Sequence, residues 1–186
     1  MSQALAQTTL YTEEDYHNLP ENVRAELING QFYAMSAPSR IHQEILGTLY
    51  RIIANHIVSK KGPCKVYPAP FAVKLSEDVK TVVEPDISVI CDRDKLDERG
   101  CKGAPDLTLE ILSPSNVCHD LLVKLNLYQR AGVREYWVVS PEDKTVNVFL
   151  LDGDGLKLSY VYGTKDIAKV NVLDGCFIEL SKVFPA

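Results

Sequence analysis

Apolar residues recur at two periods along this chain, and the switches between them mark its elements. From about Ser39 to Lys60, Ile41, Ile45, Leu49, Ile52, Ile53 and Ile57 follow helical spacing, and Gly62-Pro63 ends the run. Before it, Arg24 to Met35 reads as a hairpin joined by Asn29-Gly30, the dipeptide that a type I′ turn prefers. Thr12-Glu13-Glu14-Asp15 has the form of a helix start capped by Thr12, with the short helix ending near Leu19-Pro20. After the long helix three strands are expected: Cys64 to Leu75 (interrupted near Pro68 and Pro70), Val82 to Ile90, and Leu107 to Leu112. The charged, glycine-containing segment from Cys91 to Pro105 reads as an exposed connection between the last two. A second helix is predicted from about Asn116 to Ala131, with Gly132 as its C-terminal cap. Arg134 to Ser140 is the next strand. Pro141-Glu142-Asp143 then turns the chain into Thr145 to Leu151, and Asp152-Gly153-Asp154-Gly155 turns it into Leu158 to Tyr162.

A strand, a helix and another strand in succession favour parallel pairing of the third and fourth strands. The fold class is therefore α/β of mixed α+β character. It has a mixed β-sheet flanked by helices, an N-terminal hairpin and C-terminal antiparallel hairpins. Residues 1–10 read as a loose tail and 11–186 as one domain, an ordinary size for a chain of 186 residues.

Composition narrows the function classes. Hydrophobic residues make up 46% and charged residues 24%, a globular balance, and no apolar run reaches membrane-spanning length. The first ten residues lack a basic region followed by an apolar core, so they do not read as a signal peptide. A net charge of −5 argues against a protein that coats nucleic acid nonspecifically. It leaves room for a metal-dependent nuclease, because a bound cation and local lysines attract phosphate. The five cysteines are an odd number without CxxC spacing, which predicts free thiols in a reducing cytoplasm. Zinc on Cys118, His119, Cys91 and Cys101 is poorly spaced, and the acidic turn at Asp152 lacks the rest of a calcium loop.

The candidate chemistry lies where the strand pattern breaks. In Val82 to Ile90, Ile87 and Val89 point one way while Glu84, Asp86 and Ser88 point the other. In Asp106 to Leu112, Leu107, Leu109 and Ile111 oppose Asp106, Thr108 and Glu110. Either carboxylate alone fits an exposed sheet face or an arginine pair. Two of them framed by Val, Ile and Leu on neighbouring strands predict a cluster sharing a proton or a hard divalent cation. The position two residues after Glu110, where a lysine would share its face, is Leu112. Lys124 on the following helix instead stands at the edge of an apolar stripe, where it reaches over the sheet or pairs with Asp120.

Glu84-Pro85-Asp86, Leu109-Glu110-Ile111-Leu112-Ser113-Pro114-Ser115, Lys124, Tyr128 and Gly132-Val133-Arg134-Glu135-Tyr136-Trp137 together resemble the PD-(D/E)XK nuclease superfamily. The resemblance is to its branch of small bacterial restriction-endonuclease-like proteins. It runs from about Tyr11 to Pro141 and includes Glu26-Leu27-Ile28-Asn29-Gly30 and His42-Gln43. That branch moves the lysine from the strand to the following helix, matching Leu112 and Lys124. The resemblance implies a restriction-endonuclease-like core and a Mg²⁺-dependent DNA endonuclease, with Mn²⁺ as a substitute. It implies Asp86, Glu110 and the carbonyl of Ile111 as metal ligands, and Lys124 as the group that orients water or stabilises the transition state. His42 is expected to hold a phosphate or a carboxylate, or else to be a core histidine. Glu26 is expected to add a metal ligand or to form a structural salt bridge. A homodimer is expected, with apolar tail residues such as Val146, Leu158, Val161 and Phe177 in the contact. The rivals are a silent nuclease-fold binding module and a metal-dependent hydrolase of a small phosphoester.

Overall fold

Thr12 begins the first helix, α1 (Glu13–His17), through a capping box: its hydroxyl accepts from the Asp15 amide while the Asp15 carboxylate takes the Thr12 amide and hydroxyl. The structure is a computed structural model describing residues 10–75, 80–113, 120–153 and 155–185. The hairpin follows as β1 (Ala25–Ile28) and β2 (Gln31–Ala34). Asn29 and Gly30 both take positive φ, 50° and 78°, as a type I′ turn requires. The long helix is α2 (Arg40–Lys60), capped by Ser39 accepting the His42 amide and closed by Lys61 in the left-handed region. Ile45, Leu46, Leu49, Ile53 and Ile57 are its buried face.

The remaining strands are β3 (Lys65–Pro68), β4 (Val73–Lys74), β5 (Val82–Val83), β6 (Ile87–Ile90), β7 (Leu96–Asp97), β8 (Gly100–Lys102), β9 (Leu107–Ile111), β10 (Glu135–Ser140), β11 (Thr145–Asp152), β12 (Gly155–Gly163), β13 (Ile167–Val170) and β14 (Cys176–Glu179). A π-helical turn, Asp120–Lys124, leads into α3 (Leu125–Ala131), which Gly132 ends at φ 85° as predicted. Two six-stranded sheets form, ordered β2-β1-β5-β4-β8-β7 and β12-β11-β10-β9-β6-β3, with β13-β14 as a separate pair. The β9–α3–β10 crossover is parallel, as the strand–helix–strand order predicts.

Two apolar cores hold the layers. One joins α2 to Ile87, Val89, Leu107, Leu109 and Ile111 and to the β13–β14 hairpin. The other joins the opposite side of that central sheet, through Tyr136 and Val138, to Ile28, Val73 and Val83 of the first sheet and to Leu127 and Tyr128 of α3. Strand alternation accounts for this division: in β10, Trp137 and Val139 serve the first core while Tyr136 and Val138 serve the second.

Four expectations are corrected. The run from Val82 to Ile90 is not one strand: β5 belongs to the first sheet and β6 to the second, with Glu84, Pro85 and Asp86 in the connection between them. The run from Cys64 to Leu75 is not one interrupted strand. β3 and β4 lie in different sheets, with a cis Ala69–Pro70 bond between them. The segment from Cys91 to Pro105 is more than an exposed connection. It folds into the β7–β8 hairpin that extends the first sheet and buries Gly100 and Cys101. Gly100 takes φ 141°, and any Cβ there would stand 2.1 Å from the Ala72 carbonyl oxygen, so the close approach requires glycine. Finally, Cys64 and Cys91 are not free thiols but form a disulfide. They flank the antiparallel β3–β6 ladder, whose outermost pair is Lys65 with Ile90. Cys101 and Cys176 remain free and buried. Cys118, His119 and Asp154, on which the zinc and calcium readings turned, lie outside the described residues. No helix among the described residues is long and apolar enough to cross a membrane.

Candidate functional site

The site forms where the two sheets meet. The hairpin strand β1 supplies Glu26, the β5–β6 connection supplies Glu84 and Asp86, β9 supplies Glu110, the π-helical turn supplies Lys124, and the first turn of α2 supplies His42. All six residues line one cleft of about 1,020 Å³.

Lys124 is its centre. Only 3% exposed, it places Nζ 2.9 Å from Glu110 Oε1 and 3.0 Å from Glu26 Oε1. Glu26 Oε1 also accepts the Glu84 amide at 2.9 Å. Glu84 is held in turn by Arg24 Nη2 at 2.6 Å and by the Tyr16 hydroxyl at 2.8 Å. On the other side the Tyr128 hydroxyl donates to Glu110 Oε1 at 2.5 Å. Lys124 and Tyr128 stand four residues apart, so consecutive turns bring both to one carboxylate. The Asp120 side chain, the rival partner for Lys124, is outside what the structure describes.

Asp86 stands beside this network. Its Oδ2 accepts the Ile111 amide at 2.7 Å and lies 3.1 Å from His42 Nε2. The register explains the proximity: Ile87 pairs with Leu109, so the residue before β6 meets the end of β9. The contact from Ile111 is thus its amide. Of the two expectations for His42, the structure shows its ring against a carboxylate, that of Asp86. Its Nδ1 is buried with no hydrogen-bond partner.

The electrostatics follow from crowding. Burial, with Asp86 and Glu26 nearby, pushes the Glu110 carboxyl up to about 8, although Lys124 and the Tyr128 hydroxyl pull the other way. Burial and the Glu110 charge raise the Tyr128 hydroxyl well above its ordinary value, which keeps it a donor. The Tyr16 hydroxyl is raised by burial and by its bond to Glu84.

A hard divalent cation fits these donors. Asp86 Oδ1 and Glu110 Oε2 accept none of the bonds described above, both residues offer oxygen only, and a cation relieves the repulsion that raises Glu110. Among the described residues no group of three or more His, Cys, Asp or Glu stands ready to enclose a metal. Two carboxylates would leave the remaining positions to a carbonyl and water, which Mg²⁺ accepts.

Sequence reasoning did not assign roles to Tyr128, Arg24 or Tyr16. The first two had a signal. Tyr128 shares a helix face with Lys124, and Arg24 shares a strand face with Glu26. Tyr16 had none, because its contact with Glu84 spans 68 residues.

Three comparisons show what the chain is similar to. The model of the family described as "Uma2: Putative restriction endonuclease" matches residues 13–181. The uncharacterised protein slr1290 of Synechocystis sp. is 30% identical over 153 residues, covering 79% of this chain and 78% of that protein. A crystal structure of a "putative nuclease belonging to DUF820" from Anabaena variabilis superposes with a TM-score of 0.75 at 21% identity. It covers 93% of this chain and 97% of that one, a likeness of fold.

Proposed function

The chain belongs to the Uma2 family, with a restriction-endonuclease-like fold, and on that premise we propose that it is a Mg²⁺-dependent endonuclease hydrolysing DNA phosphodiester bonds. The observation that carries this reading is the buried Glu110 carboxylate, with the half-buried Asp86 close enough to repel it and the Lys124 ammonium beside it. Asp86, Glu110 and the Ile111 carbonyl are the proposed metal ligands. Mg²⁺, or Mn²⁺ in its place, would supply Lewis-acid neutralisation of phosphate charge and make water more acidic there.

The chain's own residues do the rest. Hydrolysis forms a bond from the water oxygen to phosphorus and breaks one phosphorus–oxygen ester bond, and the departing alkoxide takes up a proton. Negative charge grows on the phosphoryl oxygens, and the Lys124 ammonium, held with little freedom, needs no reorganisation to meet it. Tyr128 fixes the Glu110 carboxylate. His42 orients Asp86 from the far side. Glu26 acts in this reading through Lys124 rather than on substrate. The protein acts as a homodimer. Val146, Val148, Leu156 and Val170 of the tail are buried in the core, so Leu158, Val161 and Phe177, each more than half exposed, are left for the subunit contact. Sedimentation that finds only monomer at micromolar concentration refutes the dimer.

The decisive experiment couples metal binding to cleavage. Mg²⁺ should raise the melting temperature of the wild type, because a ligand specific to the native state stabilises it. Asp86→Ala should lose both that rise and DNA cleavage. A full rise in Asp86→Ala would place the metal elsewhere, and a metal-bound wild type that cuts no DNA would favour the silent binding module.

A further inference from the structure

The cleft that holds Asp86 and Glu110 is poorly suited to grip phosphates. Its described lining carries six carboxylates, Glu26, Glu84, Asp86, Glu110, Glu142 and Asp143, against two cations, Arg24 and Lys124. Arg24 is 2.6 Å from Glu84, and Lys124 is within 3.0 Å of both Glu26 and Glu110. Proteins that seize a duplex draw most of their affinity from lysines and arginines on its phosphates. Here one or two bound cations offset the acidic floor, but the Ser140–Asp143 turn still sets carboxylates in the lining.

The lining also offers a different source of binding energy. Tyr33 at the end of the hairpin, Met35 and Pro38 in the connection, and Ile41 in the first turn of α2 all line the cleft. Tyr33 is 37% exposed and Ile41 42%, so both present apolar surface to the cleft. The volume, about 1,020 Å³, lies at the upper limit of small-molecule sites, roughly 300–1,000 Å³, which suits a few nucleotides better than a helix about two nanometres wide. Apolar and aromatic walls bind polynucleotides by packing against base faces. In a duplex those faces are stacked and inaccessible.

Resting on the nuclease reading above, we propose that the substrate is an unpaired DNA strand, as in a bubble, a frayed end or an overhang, whose bases pack on the wall of Tyr33, Met35, Pro38 and Ile41 while one phosphate reaches Asp86 and Glu110. Affinity comes from base faces, so its dependence on salt is shallow. A protein held by six to ten phosphate contacts loses about 10³- to 10⁵-fold in affinity between about 50 and 200 mM salt. Here the loss is about tenfold or less.

The test uses the full chain with Mg²⁺ and end-labelled DNA in three forms: single strand, duplex with an internal mismatched bubble, and the same duplex fully paired. Single-stranded RNA serves as a fourth probe. Cleavage should fall within the unpaired segment at least tenfold faster than in paired DNA, with the shallow salt dependence. Tyr33→Ala and Ile41→Ala, both at exposed positions, should each raise KM for the single strand about tenfold, the size of one lost base contact, while the Mg²⁺-induced thermal shift persists. Glu142→Lys with Asp143→Lys should improve binding of paired DNA. Equal cleavage of paired and unpaired DNA or a steep salt dependence overturns the proposal and leaves the nuclease reading standing, whereas preferential cutting of RNA overturns the proposal and the DNA assignment together. Hydrolysis of bis(p-nitrophenyl) phosphate with no polynucleotide cut overturns both and favours the small-phosphoester hydrolase.

Discussion

Glu110 makes the stability of the metal-free protein depend on pH in an unusual direction. In the unfolded chain its carboxyl titrates near 4.5, and in the fold near 8, because burial and the charges of Asp86 and Glu26 penalise the anion. The native state therefore binds more protons than the unfolded state between these two values. Its slope of unfolding free energy against pH is negative there. The stability contributed by this group is fully present below about pH 4.5 and is lost as pH rises through 8. At about 1.36 kcal/mol per pH unit, the displacement corresponds to roughly 5 kcal/mol, a large part of a domain's stability of about 5–15 kcal/mol.

Glu110→Gln isolates this contribution. The amide has the shape of the protonated acid and still accepts from Tyr128 and Lys124, so below about pH 5 the variant should match the wild type within about 1 kcal/mol. Above pH 8 it should be the more stable protein, by about 3–5 kcal/mol without divalent metal. The assay is urea unfolding at a series of pH values from 5 to 9 in a chelator, read as the difference between the two curves so that other titrating groups cancel. Adding Mg²⁺ should remove the wild type's loss at high pH and do little for the variant. Parallel wild-type and variant stabilities across that range would refute the account of a buried, repelled carboxylate.

Further outcomes concern the neighbouring groups. Lys124→Ala should lower cleavage on the order of 100- to 1,000-fold in steady-state assays, and Lys124→Arg should restore little because a planar guanidinium does not replace a point charge between two carboxylates. Leu112→Lys in the Lys124→Ala background should recover part of the rate, since position 112 shares the Glu110 face, and no recovery would argue against that geometry. Glu135→Ala should cost about 2–3 kcal/mol in urea unfolding, because it strands the buried Trp137 indole and takes the acceptor from the half-buried amides of Asn171 and Val172. A loss under about 1 kcal/mol would show that those donors find other acceptors.

Local chemistry made the elements legible. Thr12, Asn29-Gly30, Ser39 and Gly132 each dictate a backbone conformation by their own side chain or its absence, and each does so in the structure. The alternation around Glu110 was equally readable, because period two is a property of any strand, whereas Asp86 lies in the connection between β5 and β6 rather than on a strand face. Long-range pairing was not. The Cys64–Cys91 bond needs β3 and β6 to be neighbours, which nothing within either strand states. The β7–β8 hairpin was hidden by its charge: Asp97, Glu98 and Arg99 suggest a solvated loop, while the sheet depends on Gly100 passing close to Ala72. Glu135 looked like one more strand residue, yet it ties the central sheet to the 171–172 turn by accepting from four donors.

The position of Lys124 links fold to function more tightly than a strand lysine would. A lysine at position 112 would depend on β9 alone. Lys124 instead spans Glu26 of the first sheet and Glu110 of the second. Breaking a buried ion pair by removing one partner leaves an uncompensated charge, at a cost of about 3–5 kcal/mol. The lysine therefore holds the two sheets in register at the cleft and is itself held by that register. The hairpin that looks peripheral in sequence becomes part of the site: Glu26 anchors the ammonium, and Arg24 and Tyr16 anchor Glu84, whose amide anchors Glu26. Four carboxylates crowd a space with only Arg24 and Lys124 as permanent cations among the described lining residues. Such a centre is unstable to the loss of any one cation and gains from one more, which is the physical condition for a site that recruits a divalent metal.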